Sequence, residues 1–211
     1  MPMRTLLPLL SGALLALGLL LAMPTGASAQ EGSASRFLKQ RHDDVSRIMR
    51  RAPTTDAERT RRSAEVTRIL SELLDYQELS RRALGSHWDG RTPQQREQFV
   101  SLLRQLVERN YEANLERIQD YEVRYTTEDS IADGIVVRTE ARSRTERRQP
   151  PVEIAYSMHQ SGGAWRVFDV NTDGVSLVRN YHTQFNRIIS QNGWDELISR
   201  MEQRLAAGAS D

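Results

Sequence analysis

Cysteine is missing altogether from the 211 residues. Its absence excludes disulfides, thiolate-held metal, a thiol nucleophile and a lipid-modified N-terminal cysteine. Lysine is nearly missing: Lys39 is the only one, and arginine supplies the remaining cations, which reads as base composition before it reads as phosphate recognition. Net charge is also lacking. The formal value is +1, and the first 29 residues contain a single charged side chain, Arg4, so the rest is neutral. A neutral chain has no field to gather nucleic acid and no electrostatic tether to a membrane. The common catalytic signatures are absent too: no glycine-rich phosphate loop, no G-x-S-x-G and no H-E-x-x-H. The four histidines, His42, His87, His159 and His182, are widely spaced, and no helical pair sets up a metal site. His42-Asp43-Asp44 falls in a polar helix stretch and is expected on a solvated surface.

What is present begins with a leader. Arg4 precedes an apolar stretch from Leu6 to Met23, then Pro24 and Ala27-Ser28-Ala29. This is the pattern of a secretory signal over residues 1–29 with cleavage before Gln30. Pro8, Gly12 and Gly18 interrupt the stretch, which argues against a permanent membrane anchor. Residues 30–211 are then one exported domain, with order expected from about 35 to 205. At 38% hydrophobic and 27% charged, this length supports one real core and is short for two.

Helical periodicity dominates the first half. Ser35 to Ala52 places Phe37, Leu38, Val45, Ile48 and Met49 on one face, and Pro53 ends it. Thr55 with Glu58 forms a capping-box pattern for a second helix carrying Val66, Ile69, Leu70, Leu73 and Leu74. A third short segment carries Leu79, Ala83, Leu84 and Trp88. Thr92-Pro93-Gln94-Gln95 starts a long fourth helix, whose stripe runs Phe99, Leu102, Leu103, Leu106, Val107, Tyr111, Leu115, Ile118. The period then falls to two in YEVRYTT, GIVVRTEA, PVEIAYSM and AWRVFDV. These are four strands of an antiparallel meander, with Ser161-Gly162-Gly163 as a tight hairpin. One face offers Val123, Tyr125, Ile135, Val137, Val152, Ile154, Tyr156, Met158, Trp165 and Val167; the other is charged. Two helices close the chain, the first carrying Val178, Tyr181, Phe185, Ile188 and Ile189, the second Trp194, Leu197, Ile198 and Met201. The fold class is α+β: four N-terminal helices, a four-stranded curved antiparallel sheet with one face covered by helices, and two C-terminal helices.

Chemistry is sparse in this pattern. Asp169 is in phase with Trp165 and Val167, which directs it to the covered face. A carboxylate there either ties down the following turn, with Gly174 permitting the sharp bend, or has a raised pKa and works as a base with His182. The first reading has the greater weight. The Arg142, Arg144, Arg147, Arg148 loop offers a docking surface or simply a solvated hairpin tip. The apolar stripes fit a solid core or the wall of a cavity, and periodicity does not separate the two.

Two runs of sequence carry a resemblance. DYQELSRRALGSHWDGRTPQQREQFVSLLRQLVERNYEANLERI matches at Leu84-Gly85, Trp88, Thr92, Gln95-Arg96, Phe99 and Tyr111. FDVNTDGVSLVRNYHTQF matches at Asp169-Val170, Gly174 to Leu177, Tyr181 and Phe185, with Gly193 and Leu197 beyond. In these the chain resembles the MlaC, or toluene-tolerance, family of periplasmic phospholipid-binding proteins over about residues 35 to 205. The resemblance implies a non-enzymatic, monomeric, cofactor-free carrier with an NTF2-like-looking cavity. It implies exchange of phospholipid with an inner-membrane MCE-domain/ABC transporter complex and an outer-membrane lipoprotein complex. The walls suggested by face and motif are Phe99, Leu103 and Val107 on the long helix; Val123, Tyr125, Val137, Ile154, Tyr156 and Val167 on the sheet; and Val175, Val178, Tyr181 and Phe185 in the closing elements.

Overall fold

Five of the described α-helices begin where a side chain accepts from their first amides. The computed structural model describes residues 32–115 and 120–207, so the leader, Ile118 and the last four residues lie outside it. Helix α1 (Ser33–Met49) starts after Gly32, which has no capping side chain. The acceptor comes from a strand instead: Glu128 Oε2 takes Ser35 N–H at 2.8 Å and Ser35 Oγ–H at 2.6 Å. A carboxylate at a helix N-terminus also meets the positive end of the helix dipole. Gly32 leaves room for this contact, because a Cβ there would push the Glu128 carboxylate aside. Helix α2 (Asp56–Leu73) is capped by Thr55, while Glu58 reaches back to Thr54 N–H at 2.7 Å. Asp75 caps α3 (Tyr76–Leu84), and Thr92 with Gln95 forms a full capping box on α4 (Pro93–Ala113).

The sheet has five strands rather than four, in the order β1 (Tyr121–Ile131), β2 (Gly134–Ser143), β3 (Val152–Ser161), β4 (Ala164–Thr172), β5 (Val175–Ser176), all antiparallel. The fifth strand is two residues that pair with Asn171 and Thr172, too short for period-two alternation to reveal. Ser176 then caps α5 (Leu177–Asn192), which ends at Gly193 in the left-handed region, and α6 (Trp194–Ala207) follows.

Two register shifts change which face residues occupy. One lies between Tyr125 and Thr127, the other falls at Phe168, since Met158 pairs with Val167 but Ser157 pairs with Asp169. An extra residue reverses the alternation beyond it. After the first shift Glu128 stands opposite Val137, on the helix-covered side, where it can meet α1. After the second, Val170 is paired with Tyr156 and joins the apolar face. Asp169 is therefore on the opposite face from Val167, correcting the expectation that strict alternation would carry it inward.

The helices do not all pack on the sheet. Ala34 and Leu38 of α1 and Leu73 of α2 cover Val137, Met158 and Val167. A second cluster joins α1 and α2 through Val45, Met49, Val66, Ile69 and Leu70 to Leu115, just beyond α4, with Tyr111 of α4 packed against it. The third is purely helical, built by α3, α4, α5 and α6 around Phe99, Leu103, Phe185, Trp194 and Leu197. In it Phe99 meets Phe185 edge-on at 5.4 Å and Trp194 at 5.8 Å. An amphipathic stripe says that a helix buries one face, but not against which partner, and here four of them bury one another.

Phe99→Ala is expected to lower unfolding stability by about 3–5 kcal/mol through the cavity it leaves, as measured by urea denaturation.

Candidate functional site

Between the sheet's apolar face and the layer of α1, α2 and α4 the side chains do not fill the space. Two cavity lobes remain. The first, about 520 Å³, is bounded by Val123, Tyr125, Ala141, Val152, Ile154 and Tyr156 from the sheet and by Lys39, His42, Val45 and Tyr111 from the helices. The second, about 480 Å³, is bounded by Ile69, Leu70, Leu73, Leu74, Val107, Val167, Val170 and Leu177, among others. Each falls in the size range of small-molecule pockets, about 300–1,000 Å³. Both lobes touch His42, Val45, Tyr111, Ile154 and Tyr156.

Of the walls suggested by sequence, Val107, Val123, Tyr125, Ile154, Tyr156, Val167 and Val175 border these lobes. Val137 is on the correct face but fully buried under Leu38. Phe99, Leu103, Val178, Tyr181 and Phe185 belong to the helical core instead. The reason is geometric: α3 and α6 cover the stripe of α5, and the start of α4 is turned toward them. Only the later part of α4, at Val107 and Tyr111, reaches the lobes. Residues the sequence reading passed over include Val45, Ile69, Leu70, Leu73 and Val170. The first four stand on helical stripes that were visible; Val170 was hidden by the shift at Phe168.

His42 is the main departure. Rather than a solvated surface group, it projects between helix and sheet. Tyr125 Oη lies 2.6 Å from its Nδ1, and Tyr156 Oη 3.4 Å from its Nε2. A neutral imidazole donates from one nitrogen and accepts at the other, so it serves both hydroxyls. Its residue surface is only partly covered because it borders the lobes, yet protein surrounds the ring and water is largely excluded. Burial pulls its pKa down to about 4, against a weaker opposing pull from Asp43. Burial likewise pushes Tyr111 up to about 12 and raises Tyr156. His42 is therefore neutral near neutral pH, while Lys39, Asp43, Glu122 and Arg144 border the first lobe and Arg41 the second.

The mouths differ from the interior. The exposed large hydrophobic residues among those described include Tyr121 at 36% and Val175 at 61%, one on the rim of each lobe. Arg144 of the arginine-rich hairpin borders the first lobe, beside Glu122 at 4.0 Å, and Arg142 lies 3.7 Å from Glu140. Arg147 and Arg148 are exposed at the hairpin tip.

Asp169 has no part in the lobes. Its Oδ2 accepts Ser176 Oγ–H at 2.7 Å and its Oδ1 accepts Val178 N–H at 3.0 Å, joining β4 to the start of α5. It borders a polar recess of about 460 Å³ on the other face of the sheet, together with Gly174. Asp173 and Gly174 both have left-handed backbone at this turn. His182 turns away to Ala83 O, 3.3 Å from its Nδ1. The acid and the histidine are not brought together, and no base is assembled from them.

The chain is similar to known proteins in sequence and in fold. A sequence profile of the family described as MlaC protein matches residues 39–203. The intermembrane phospholipid transport system binding protein MlaC of Haemophilus influenzae is 23% identical over 142 residues. That match spans 65% of this chain and 66% of the relative, just under two thirds of the relative's own length. The crystal structure of a phospholipid-binding protein from Ralstonia solanacearum, in complex with a phospholipid, superposes with a TM-score of 0.68 at 25% identity. It covers 84% of this chain and 99% of that one.

Two outcomes follow from the site. Because His42 has a folded pKa of about 4 against 6.5 for the free side chain, the unfolded chain binds the extra proton first as pH falls. Stability from this residue is complete above pH 6.5 and is lost progressively down to about 4, on the order of 3 kcal/mol in all. Unfolding curves at stepped pH should show this slope, and His42→Leu should flatten it between pH 6.5 and 4.5, above the range where Glu78 begins to contribute. Asp169→Ala should cost about 1–3 kcal/mol by removing the acceptor of two part-buried donors, as read by urea denaturation.

Proposed function

The chain belongs to the MlaC protein family, and from that premise we propose that it is a phospholipid carrier holding acyl chains in the two lobes between the sheet and α1, α2 and α4. The observation that carries this reading is the cavity itself: largely apolar walls from sheet and helices bordering unfilled volume that opens to the surface. Empty apolar space forfeits packing contacts and is costly to keep unless something fills it. Each buried methylene is worth roughly 0.8 kcal/mol, so a two-chain lipid must recover on the order of 20 kcal/mol of burial outside the bilayer. The apolar side chains that dominate both linings recover it, since acyl chains need no charge partner. The polar headgroup stays at the mouths, where Arg144 and Glu122 offer hydrogen bonds and the Tyr121 and Val175 side chains border the opening.

The protein performs transfer and no covalent step. It is exported to the periplasm after removal of residues 1–29, and works there as a monomer. It takes phospholipid from one membrane complex and gives it to another, an inner-membrane MCE-domain/ABC transporter assembly and an outer-membrane lipoprotein assembly, and so maintains outer-membrane lipid asymmetry. Supporting this are the leader pattern, the neutral mature charge and the names of the family's characterised members. No helix among the described residues is long and apolar enough to cross a membrane, as a carrier between two membranes requires.

Native mass spectrometry of protein purified from cells should show bound phospholipid. Val123→Trp and Val170→Trp, one in each lobe, should reduce the bound fraction at least severalfold while the protein remains folded by circular dichroism. Wild-type protein free of lipid, or Trp variants that load as well as wild type, would overturn the reading.

A further inference from the structure

The carrier reading leaves open how much chain the cavity takes, and the wall between its lobes bears on that. From the helices come His42 and Val45 of α1 and Tyr111 of α4; from the sheet come Ile154 and Tyr156 of β3. His42 meets Tyr125 and Tyr156 across the gap, so helix and sheet side chains close in where two lobes of similar size adjoin. The wall is also held in place. Tyr125 Oη is 2.6 Å from His42 Nδ1, and Tyr156 Oη is 3.4 Å from Nε2, so hydrogen bonds run from sheet to helix through an otherwise apolar region. Both tyrosine rings lie tilted or edge-on to the imidazole, at 5.9 and 5.8 Å. An apolar side chain at residue 42 could fill the same volume without desolvating polar atoms. What the polar trio adds is position: a satisfied buried network fixes one arrangement of its members.

We propose that the wall centred on His42 is the specificity-determining element of this cavity, setting a ceiling on acyl-chain length. A chain entering either lobe stops at the imidazole and its two tyrosines. Methylenes beyond that ceiling stay at the mouth, partly in water, and gain nothing from the neighbouring lobe. Removing the wall joins the lobes and lets a longer chain bury its end.

The test is competition loading. Full mature protein is incubated with vesicles of phosphatidylglycerols of short, medium and long saturated chains in equal amounts, and the bound lipids are read by native mass spectrometry. His42→Ala should shift the bound population toward long chains, by about fourfold for each methylene newly buried. Val45→Phe, which thickens the same wall, should shift it toward short chains; it keeps the test decisive if the alanine variant fails to fold. Wild type that loads lipid while folded variants keep its chain-length distribution would overturn the wall's role and leave the carrier reading standing. Wild type that loads none of the lipids would overturn both.

Discussion

Everything in this protein depends on how α1 lies across the sheet. Leu38 is fully buried against Val137, Met158 and Val167, and that contact is the tight point between the helical layer and the strands. Glu128 fixes the start of the helix from β1, and it faces the helix only because an extra residue at Thr126 reverses the strand's phase. From this anchored end the helix runs on to His42 and Val45, which border both lobes, and His42 is the point where the helix touches the sheet again through Tyr125 and Tyr156. Bulges bend and twist the strands that contain them. The sheet carries two, one on each side of the cavity face.

The division of the core follows from the same layout. A domain that keeps internal space open loses packing there and must be stabilised elsewhere. Here the helices α3 to α6 form a dense aromatic cluster around Phe99, Phe185 and Trp194, which lies apart from the lobes except where Val107 and Leu177 reach the second. Asp169 and Ser176 connect that cluster to β4, so the helical unit is joined to the sheet by hydrogen bonds at its strand-to-helix corner. One part of the domain supplies rigidity and the other supplies volume.

Much of this was legible in the sequence. The capping signals at Thr55 and Thr92 fall at the observed helix starts, the hairpin at Gly162-Gly163 is where the turn chemistry puts it, and the covered face of β2 and β3 follows the alternation. The candidate site was only half legible. Val123, Tyr125, Ile154 and Tyr156 could be read because strand phase was unbroken up to them. Phe99, Leu103 and Phe185 could not be placed, because helical periodicity encodes a buried face without naming what buries it. Asp169 and Val170 were exchanged between faces by one extra residue, Phe168, that leaves no mark in composition. His42 was read from its acidic neighbours, Asp43 and Asp44, whereas its own position on α1 points it inward beside Val45.

The most direct measurement is photo-crosslinking in living cells with a benzophenone amino acid at Val170, on the wall of the second lobe, and at Phe99, in the helical core. The account predicts a phospholipid adduct by mass at Val170 and none at Phe99. Equal adducts at both positions, or none at Val170 in folded protein, would contradict it.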